Sequence, residues 1–154
     1  MMAADDSEWI LILVSWYNRR PLTFSLADSP TLGIFTKSHM SKWLDRQVYQ
    51  DNLKEESNDP TGAKAGALDQ PGLADMTLKA IDILTARDTE GSGFFMMSEA
   101  ATIDKMFHVL DYERALGDLL ELDDTVRKTI EHLEKKGIAD ETLIVVTADH
   151  GELA

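Results

Sequence analysis

Five side chains in the second half of the sequence could bind metal ions. They are Glu99, Asp104, His108, Asp149 and His150. Carboxylate oxygen and imidazole nitrogen are the usual zinc ligands where no thiolate is available, and carboxylates also suit magnesium. Asp104 and His108 are four residues apart, close enough to converge on one ion. Asp149 and His150 are adjacent, so in a loop both could reach the same ion or neighbouring ions.

Each of these residues also has an ordinary structural interpretation. Glu99 alone could cap the element that follows it, and Asp104 with His108 could form an exposed ion pair. An Asp-His dipeptide occurs by chance in many chains. The other two histidines are not assigned to the site: His132 lies in a charged helical segment and is expected to be solvated, and His39 has no carboxylate nearby in the sequence.

Two apolar runs and a long helix between them would position the five side chains. Residues 94–97 and 143–146 are short continuous apolar runs, which are typical of strands buried on both faces of a parallel sheet. A helix is predicted around residues 116–136, with Gly137 as its C′ stop. A strand, a helix and a second strand form a βαβ unit, and ligands in such folds gather at the carboxyl ends of the strands. Glu99 and Asp149 each follow one of the two runs.

Helical periodicity marks two further features. The apolar positions predicted for the long helix are Leu116, Leu119, Leu120, Val126, Ile130 and Leu133. An earlier helix is predicted from Leu73 to Leu84, with Asp75 as its N-cap. Residues 32–35 are predicted to form a short strand, and residues 51–72 a surface loop or a disordered segment.

Composition and charge narrow the class of protein. The 154 residues are enough for one domain, and 44% hydrophobic residues can build a core. The net charge of −13 argues against binding nucleic acid through bulk electrostatics, and a phosphate substrate would need a local positive centre such as a metal cluster. No run is long enough to span a bilayer, and acidic residues before the apolar run at 9–14 argue against a signal peptide. The absence of cysteine excludes thiolate zinc sites but does not fix the compartment.

The joint arrangement of these residues resembles the alkaline phosphatase family. Residues 93–108 read GFFMMSEAATIDKMFH, similar to the family segment with a glutamate, then Ile-Asp, then a histidine four residues after the aspartate. Residues 143–150, LIVVTADH, resemble the later strand and Asp-His pair of the family. Upstream, LGIF at 32–35 and PGLADMT at 71–77 resemble family landmarks in the same order. The resemblance covers about residues 31–150, so 31–154 is expected to be a partial domain of this family, and 1–30 stays unassigned.

The resemblance implies a fold and a set of roles. The expected fold is α/β, a partial sandwich with a mostly parallel sheet covered by helices. Glu99 would bind magnesium, Asp104 and His108 the first zinc, and Asp149 and His150 the second. Lys105 would lie near the phosphate. The implied reaction is hydrolysis of phosphate monoesters, and the implied assembly is a homodimer.

The departures from the family pattern concern the catalytic groups. The family nucleophile is a serine in an Asp-Ser-Ala context, and Asp28-Ser29-Pro30 is only a superficial echo of it. The phosphate-clamping arginine, an early bridging aspartate and a later histidine that completes the first zinc site have no counterpart. We therefore expect an incomplete form of the enzyme, weakly active or inactive. The alternatives are a sulfatase-like or phosphoglycerate-mutase-like enzyme, which Asp149-His150-Gly151-Glu152 also resembles, and a non-catalytic metal-binding remnant.

Overall fold

The computed structural model describes residues 9–15, 33, 35, 39–54, 70–148, 150 and 151. In chain order the strands and helices are β1 (Trp9–Ser15), α1 (Trp43–Gln47), α2 (Leu73–Arg87), β2 (Phe94–Glu99), α3 (Thr102–His108), α4 (Tyr112–Lys136) and β3 (Thr142–Ala148). Short 3-10 turns at Gln50–Leu53 and Ala139–Glu141 follow α1 and precede β3. The two strands and the long helix predicted for residues 94–146 are confirmed.

The three strands form one sheet in the order β2-β1-β3. β1 is antiparallel to both neighbours, with Ile12 opposite Met97 on one side and Val145 on the other. β2 and β3 therefore run in the same direction but do not pair. The predicted mostly parallel sheet stays unconfirmed, since both pairings in the described chain are antiparallel.

Helices α2 and α4 cover one face of the sheet. The core beneath them joins Ile81 of α2 and Leu133 of α4 to Phe94 and Met96 of β2, with Ile144 of β3 packed against it. Along β2 the buried Phe94 and Met96 alternate with exposed residues because successive side chains point to opposite faces.

The opposite face of the sheet is open in the described part of the chain. Phe95 and Met97 of β2 are exposed, as are Leu143 and Val145 of β3. The prediction that both runs are buried on both faces was wrong. A continuous apolar run predicts two buried faces only where both are covered, and here the described helices cover one.

Helix α4 extends further than predicted and buries a different face. It begins after Asp111, whose side chain accepts a hydrogen bond from the Arg114 N–H at 3.1 Å, and ends at Gly137 in the left-handed conformation. Leu116, Leu119, Leu120 and Ile130 are exposed, contrary to the predicted apolar face. The buried positions are Ala115, Gly117, Asp118, Leu122, Thr125, Thr129 and Leu133. Small and polar residues lie against α1, α2 and α3 because those helices approach closely.

The earlier predictions have mixed outcomes. Helix α2 begins at Leu73, earlier than an N-cap at Asp75 would allow, because Gly72 is the N-cap. Asp75 lies inside the first turn and accepts a hydrogen bond from the Gly72 N–H at 3.0 Å. Gly33 and Phe35 lie in neither helix nor strand, while the rest of the predicted strand at 32–35 and most of the loop at 51–72 lie outside the described residues. Among the helices described, none is long and apolar enough to cross a membrane.

Candidate functional site

Helix α3 brings two of the predicted ligands together. Asp104 and His108 lie one turn apart, and Asp104 Oδ1 is 3.2 Å from His108 Nε2. The Asp104 side chain is 4% exposed and the His108 side chain 25% exposed, so the carboxylate is held in the interior and the imidazole reaches the surface. Ile103 and Met106 on the same short helix are buried and anchor it. The pair therefore has a fixed geometry with one open side.

Glu99 is the last residue of β2, at the carboxyl end of the strand as predicted. The residue before it, Ser98, shares a hydrogen bond with Thr77 of α2, with the two hydroxyl oxygens 2.7 Å apart. On its other side, Ala100 and Ile103 pack in a second buried cluster with Leu73 and Leu122. Glu99 is thus placed by contacts on both sides.

The other three predicted site residues are Lys105, Asp149 and His150. Lys105 is half-buried in α3, beside Asp104. His150 is half-buried after β3, and Asp149 lies outside the described residues. Over the described ranges, no three His, Asp or Glu side chains converge closely enough to hold an ion. The shared five-residue site stays a prediction.

A cavity of about 120 Å³ lies beside Glu99. Its wall includes Ala100–Thr102 from the β2–α3 connection, Ser41 and Arg46 from the α1 region, and Asp118 and Glu121 from α4. Arg46 and Glu121 form a buried ion pair. The pocket wall therefore carries charges of both signs: the carboxylates of Glu99, Asp118 and Glu121, and the guanidinium of Arg46, which pairs with Glu121.

Two carboxylates of α4 hold the first residues of other helices. Asp118 Oδ1 accepts a hydrogen bond from the Trp43 N–H at 2.6 Å, and Glu121 Oε1 accepts one from the Leu73 N–H at 3.1 Å. These N–H groups have no partner within their own helices. Asp118 and Glu121 therefore act as N-terminal caps supplied from a distant part of the chain.

Asp118 is a buried carboxyl group in the wall of the cavity. It is 2% exposed. Burial raises the pKa of Asp118 above its ordinary value, against the lowering effect of hydrogen bonds from Trp43 and Thr102. Sequence analysis missed Asp118, Glu121, Arg46 and Thr77. Their contacts join segments far apart in sequence, so no local pattern marks them.

His132 differs from its predicted solvated state. Its Nε2 lies 2.8 Å from Asp82 Oδ1 of α2, and Lys136 Nζ lies 2.7 Å from the same oxygen. The hydrogen bonds from Lys136 and His132 hold the pKa of Asp82 below its ordinary value. This cluster links α2 to α4 and is remote in sequence from the predicted ligands.

The fold and the carboxylate–histidine pair define an α/β domain with metal-capable residues after its strands. The family model for alkaline phosphatase matches residues 17–154. The chain belongs to the alkaline phosphatase family. The resemblance seen in the sequence is thereby confirmed, and the sulfatase-like or mutase-like alternative is not favoured.

Curated relatives agree with the family match. The chain is 34% identical to the alkaline phosphatase of Escherichia coli K12, over 79% of this chain and 25% of that protein. It is 35% identical to alkaline phosphatase H of Pseudomonas aeruginosa, with the same coverage. It is 32% identical to the streptomycin-6-phosphate phosphatase of Streptomyces griseus, over 87% of this chain and 30% of that protein. The chain thus spans about a quarter to a third of these relatives. No solved structure matches it significantly.

Proposed function

We propose that this chain carries part of the metal centre of a zinc- and magnesium-dependent phosphate monoester hydrolase. One observation supports the zinc assignment. Two ligands at about 2.0–2.1 Å from a tetrahedral zinc ion lie about 3.3 Å apart. Asp104 Oδ1 and His108 Nε2 are 3.2 Å apart, a separation compatible with two adjacent corners of such a site.

The proposed roles follow the family pattern residue by residue. Asp104 and His108 would hold the first zinc, Asp149 and His150 the second, and Glu99 the magnesium. Paired zinc ions stabilise the attacking and leaving oxygens of a phosphoryl transfer. The chain's own contribution is to orient the ligands: α3 fixes the spacing of Asp104 and His108, and β2 fixes Glu99. Lys105 would attract the phosphate, and the bound ions would offset the net charge of −13.

The proposed activity of this chain alone is low. Its sequence has no serine in the Asp-Ser-Ala context and no matching arginine for the phosphate. A missing nucleophile removes several orders of magnitude in rate. Residues 31–154 would act as a partial domain, and in a complete enzyme we propose phosphate monoesters as substrates and a homodimer as the assembly. The non-catalytic remnant remains the second candidate, favoured by the same missing groups.

Zinc binding at Asp104 and His108 tests the proposal. We expect zinc to raise the melting temperature of the full chain, because an ion that binds only the folded state stabilises it by about 2.7 kcal/mol at one hundred times its dissociation constant. His108→Ala removes one of the two proposed ligands of the first zinc and should reduce this shift, leaving the part that zinc at the proposed second site, Asp149 and His150, contributes. The measurement is a thermal melt across a zinc titration.

His132→Ala is the matched control. His132 also lies beside a carboxylate on a helix, Asp82, at 2.8 Å, but it is not a proposed ligand. The zinc shift should survive in this variant. An equal loss in both variants, or no loss in His108→Ala, would show that zinc binds elsewhere. Turnover of a chromogenic phosphate ester by the same zinc- and magnesium-loaded protein should fall well below the ordinary enzyme range of about 1–10³ per second.

A further inference from the structure

The turn between α3 and α4 has a leucine in a backbone conformation that favours glycine. Leu110 has a φ of 57°, and the other described residues with positive φ are all glycines. The Leu110 N–H donates to the Phe107 carbonyl at 3.0 Å, and the Asp111 N–H donates to the Met106 carbonyl at 2.9 Å. This pair of bonds is the one with which helices end at a left-handed residue, usually glycine. Leucine in this position costs free energy that glycine would not.

Packing within the described part of the chain does not explain the leucine. The Leu110 residue is 69% exposed, so burial of its side chain does not offset the cost of its backbone conformation. Glycine would form the same turn with the same two backbone hydrogen bonds. Strained residues of this kind cluster at functional sites, where the strain is offset by what the residue does. We therefore looked for an apolar surface that includes Leu110.

An apolar stripe on α4 begins directly after this turn. Its members are all exposed, at 54%, 56%, 41% and 56% respectively: Tyr112, Leu116, Leu119 and Leu120. Steps of four, three and one residues place them on one face of the helix. The Tyr112 ring is held by an edge contact with the Phe107 ring, with the centroids 5.8 Å apart. Leu110 and these four residues are called the α4 stripe below.

Two exposed acidic residues lie within one turn of the α4 stripe. Glu113 precedes Leu116 by three residues, and Asp123 follows Leu120 by three. A second copy docked here about a two-fold axis would place acid near acid. In an antiparallel pair with Leu116 opposite Leu120, Glu113 faces Asp123, and in a parallel pair each acid faces its own copy. Charge therefore disfavours self-association through this stripe and favours a basic partner.

We propose that the α4 stripe is a docking site for a basic amphipathic helix of a partner protein. Such helices bind through apolar residues at positions i, i+3, i+4 and i+7, which is the spacing that the stripe itself presents. Lysine or arginine beside the apolar face of the partner would meet Glu113 and Asp123. The net charge of −13 adds a long-range attraction for the same partner. The proposal does not depend on the proposed hydrolase activity.

The test uses the full chain and a fluorescein-labelled synthetic helix with leucine on one face and lysine on the other, followed by fluorescence anisotropy. Leu110→Gly and Leu116→Ser should each raise the dissociation constant about tenfold, the size expected when a leucine side chain is no longer buried. Leu110→Gly should also keep or raise the melting temperature, because glycine suits positive φ. A leucine that serves only folding would give the opposite shift.

Leu143→Thr is the matched apolar control. Leu143 is 54% exposed but lies on the open face of the sheet, so the dissociation constant should not change. An equal weakening in this variant, or none in Leu110→Gly and Leu116→Ser, would show that the helix does not dock on the α4 stripe.

Charge is tested separately. Glu113→Gln combined with Asp123→Asn should weaken binding and reduce its salt dependence. Glu134→Gln combined with Asp140→Asn removes the same charge from exposed positions elsewhere and should have little effect. A leucine–glutamate helix that binds as tightly as the leucine–lysine helix would show that the partner is not basic. A loss of self-association in Leu110→Gly, measured by sedimentation velocity, would make a second copy the occupant and overturn the proposal.

Discussion

At the scale of single residues, two buried carboxyl groups, those of Asp104 and Asp118, have different roles. Asp104 and Asp118 are both nearly inaccessible, at 4% and 2% exposure. Asp104 lies beside a histidine that can share an ion with it. Asp118 caps α1 through the Trp43 N–H, and burial raises its pKa. The first is a candidate ligand, whereas the second is a structural group whose ionisation opposes folding.

Asp118→Asn should therefore stabilise the protein at neutral pH. A raised folded-state pKa means that stability falls as pH rises from about 4, the unfolded value, through the folded pKa. The asparagine oxygen can still accept the hydrogen bond from Trp43, so the variant keeps the cap without the buried charge. We expect a gain of up to about 1 kcal/mol in unfolding free energy at pH 7 and none near pH 3. Urea unfolding at both pH values measures it.

Asp45→Asn is the control with the opposite sign. The hydrogen bond from Arg114 holds the pKa of Asp45 below its ordinary value, against desolvation. The ionised Asp45 therefore adds to the free energy of unfolding above its unfolded pKa, and this stabilisation is lost as pH falls through the lower folded pKa. This variant should lose stability at pH 7. A destabilisation by Asp118→Asn that appears at pH 7 and vanishes near pH 3 would instead show that the charge of Asp118 strengthens the cap.

At the scale of elements, α4 is the part of the molecule to which the other helices attach. Its residues contact α1, α2 and α3, and the buried Gly117 faces Trp43 and Leu44 of α1. The link to α1 is completed by Arg114, whose Nε and Nη2 donate to the two oxygens of Asp45, both at 2.8 Å. Asn52 donates to the same carboxylate at 2.8 Å.

Arg114→Met should break this link. Asp45 is 6% exposed, and removal of one partner leaves a buried charge unpaired, which costs about 3 kcal/mol. Arg127→Met on the same helix is the control, because the Arg127 side chain is 56% exposed and, among the described residues, pairs with Asp124 and Glu131 of its own helix. Exposed pairs contribute less than about 1 kcal/mol. Equal losses of unfolding free energy in the two variants would contradict the role of Arg114.

Sequence analysis located the elements better than it located their faces. β2, α4, β3 and the stop at Gly137 were predicted because apolar runs, helical spacing and a C′ glycine are local signals. The spacing of Asp104 and His108 was likewise local. The exposed Leu116, Leu119 and Leu120 were misassigned, since apolar spacing does not reveal which neighbours are present. The contacts of Thr77 and Asp118 could not be predicted, because they depend on how distant segments pack.

At the scale of the whole molecule, the described sheet is covered on one face only. The chain spans 25% of the length of its Escherichia coli relative, and sheets in α/β proteins usually have both faces covered. Phe95, Met97, Leu143 and Val145 present an apolar surface on the open face, with exposed fractions of 64%, 56%, 54% and 37%. Apolar surfaces on an open sheet face can bind partners or self-associate.

We expect the purified chain to bind the apolar dye ANS and to self-associate through this open face. Phe95→Thr combined with Val145→Thr removes two of the four apolar side chains and keeps strand propensity, so dye fluorescence should fall. Sedimentation velocity should show a weaker dependence on concentration. Val48→Thr is the control, since Val48 is 56% exposed but bounds α1 and does not lie on the sheet. If the double variant and the control bind the dye equally, the open face is not the surface through which the chain associates.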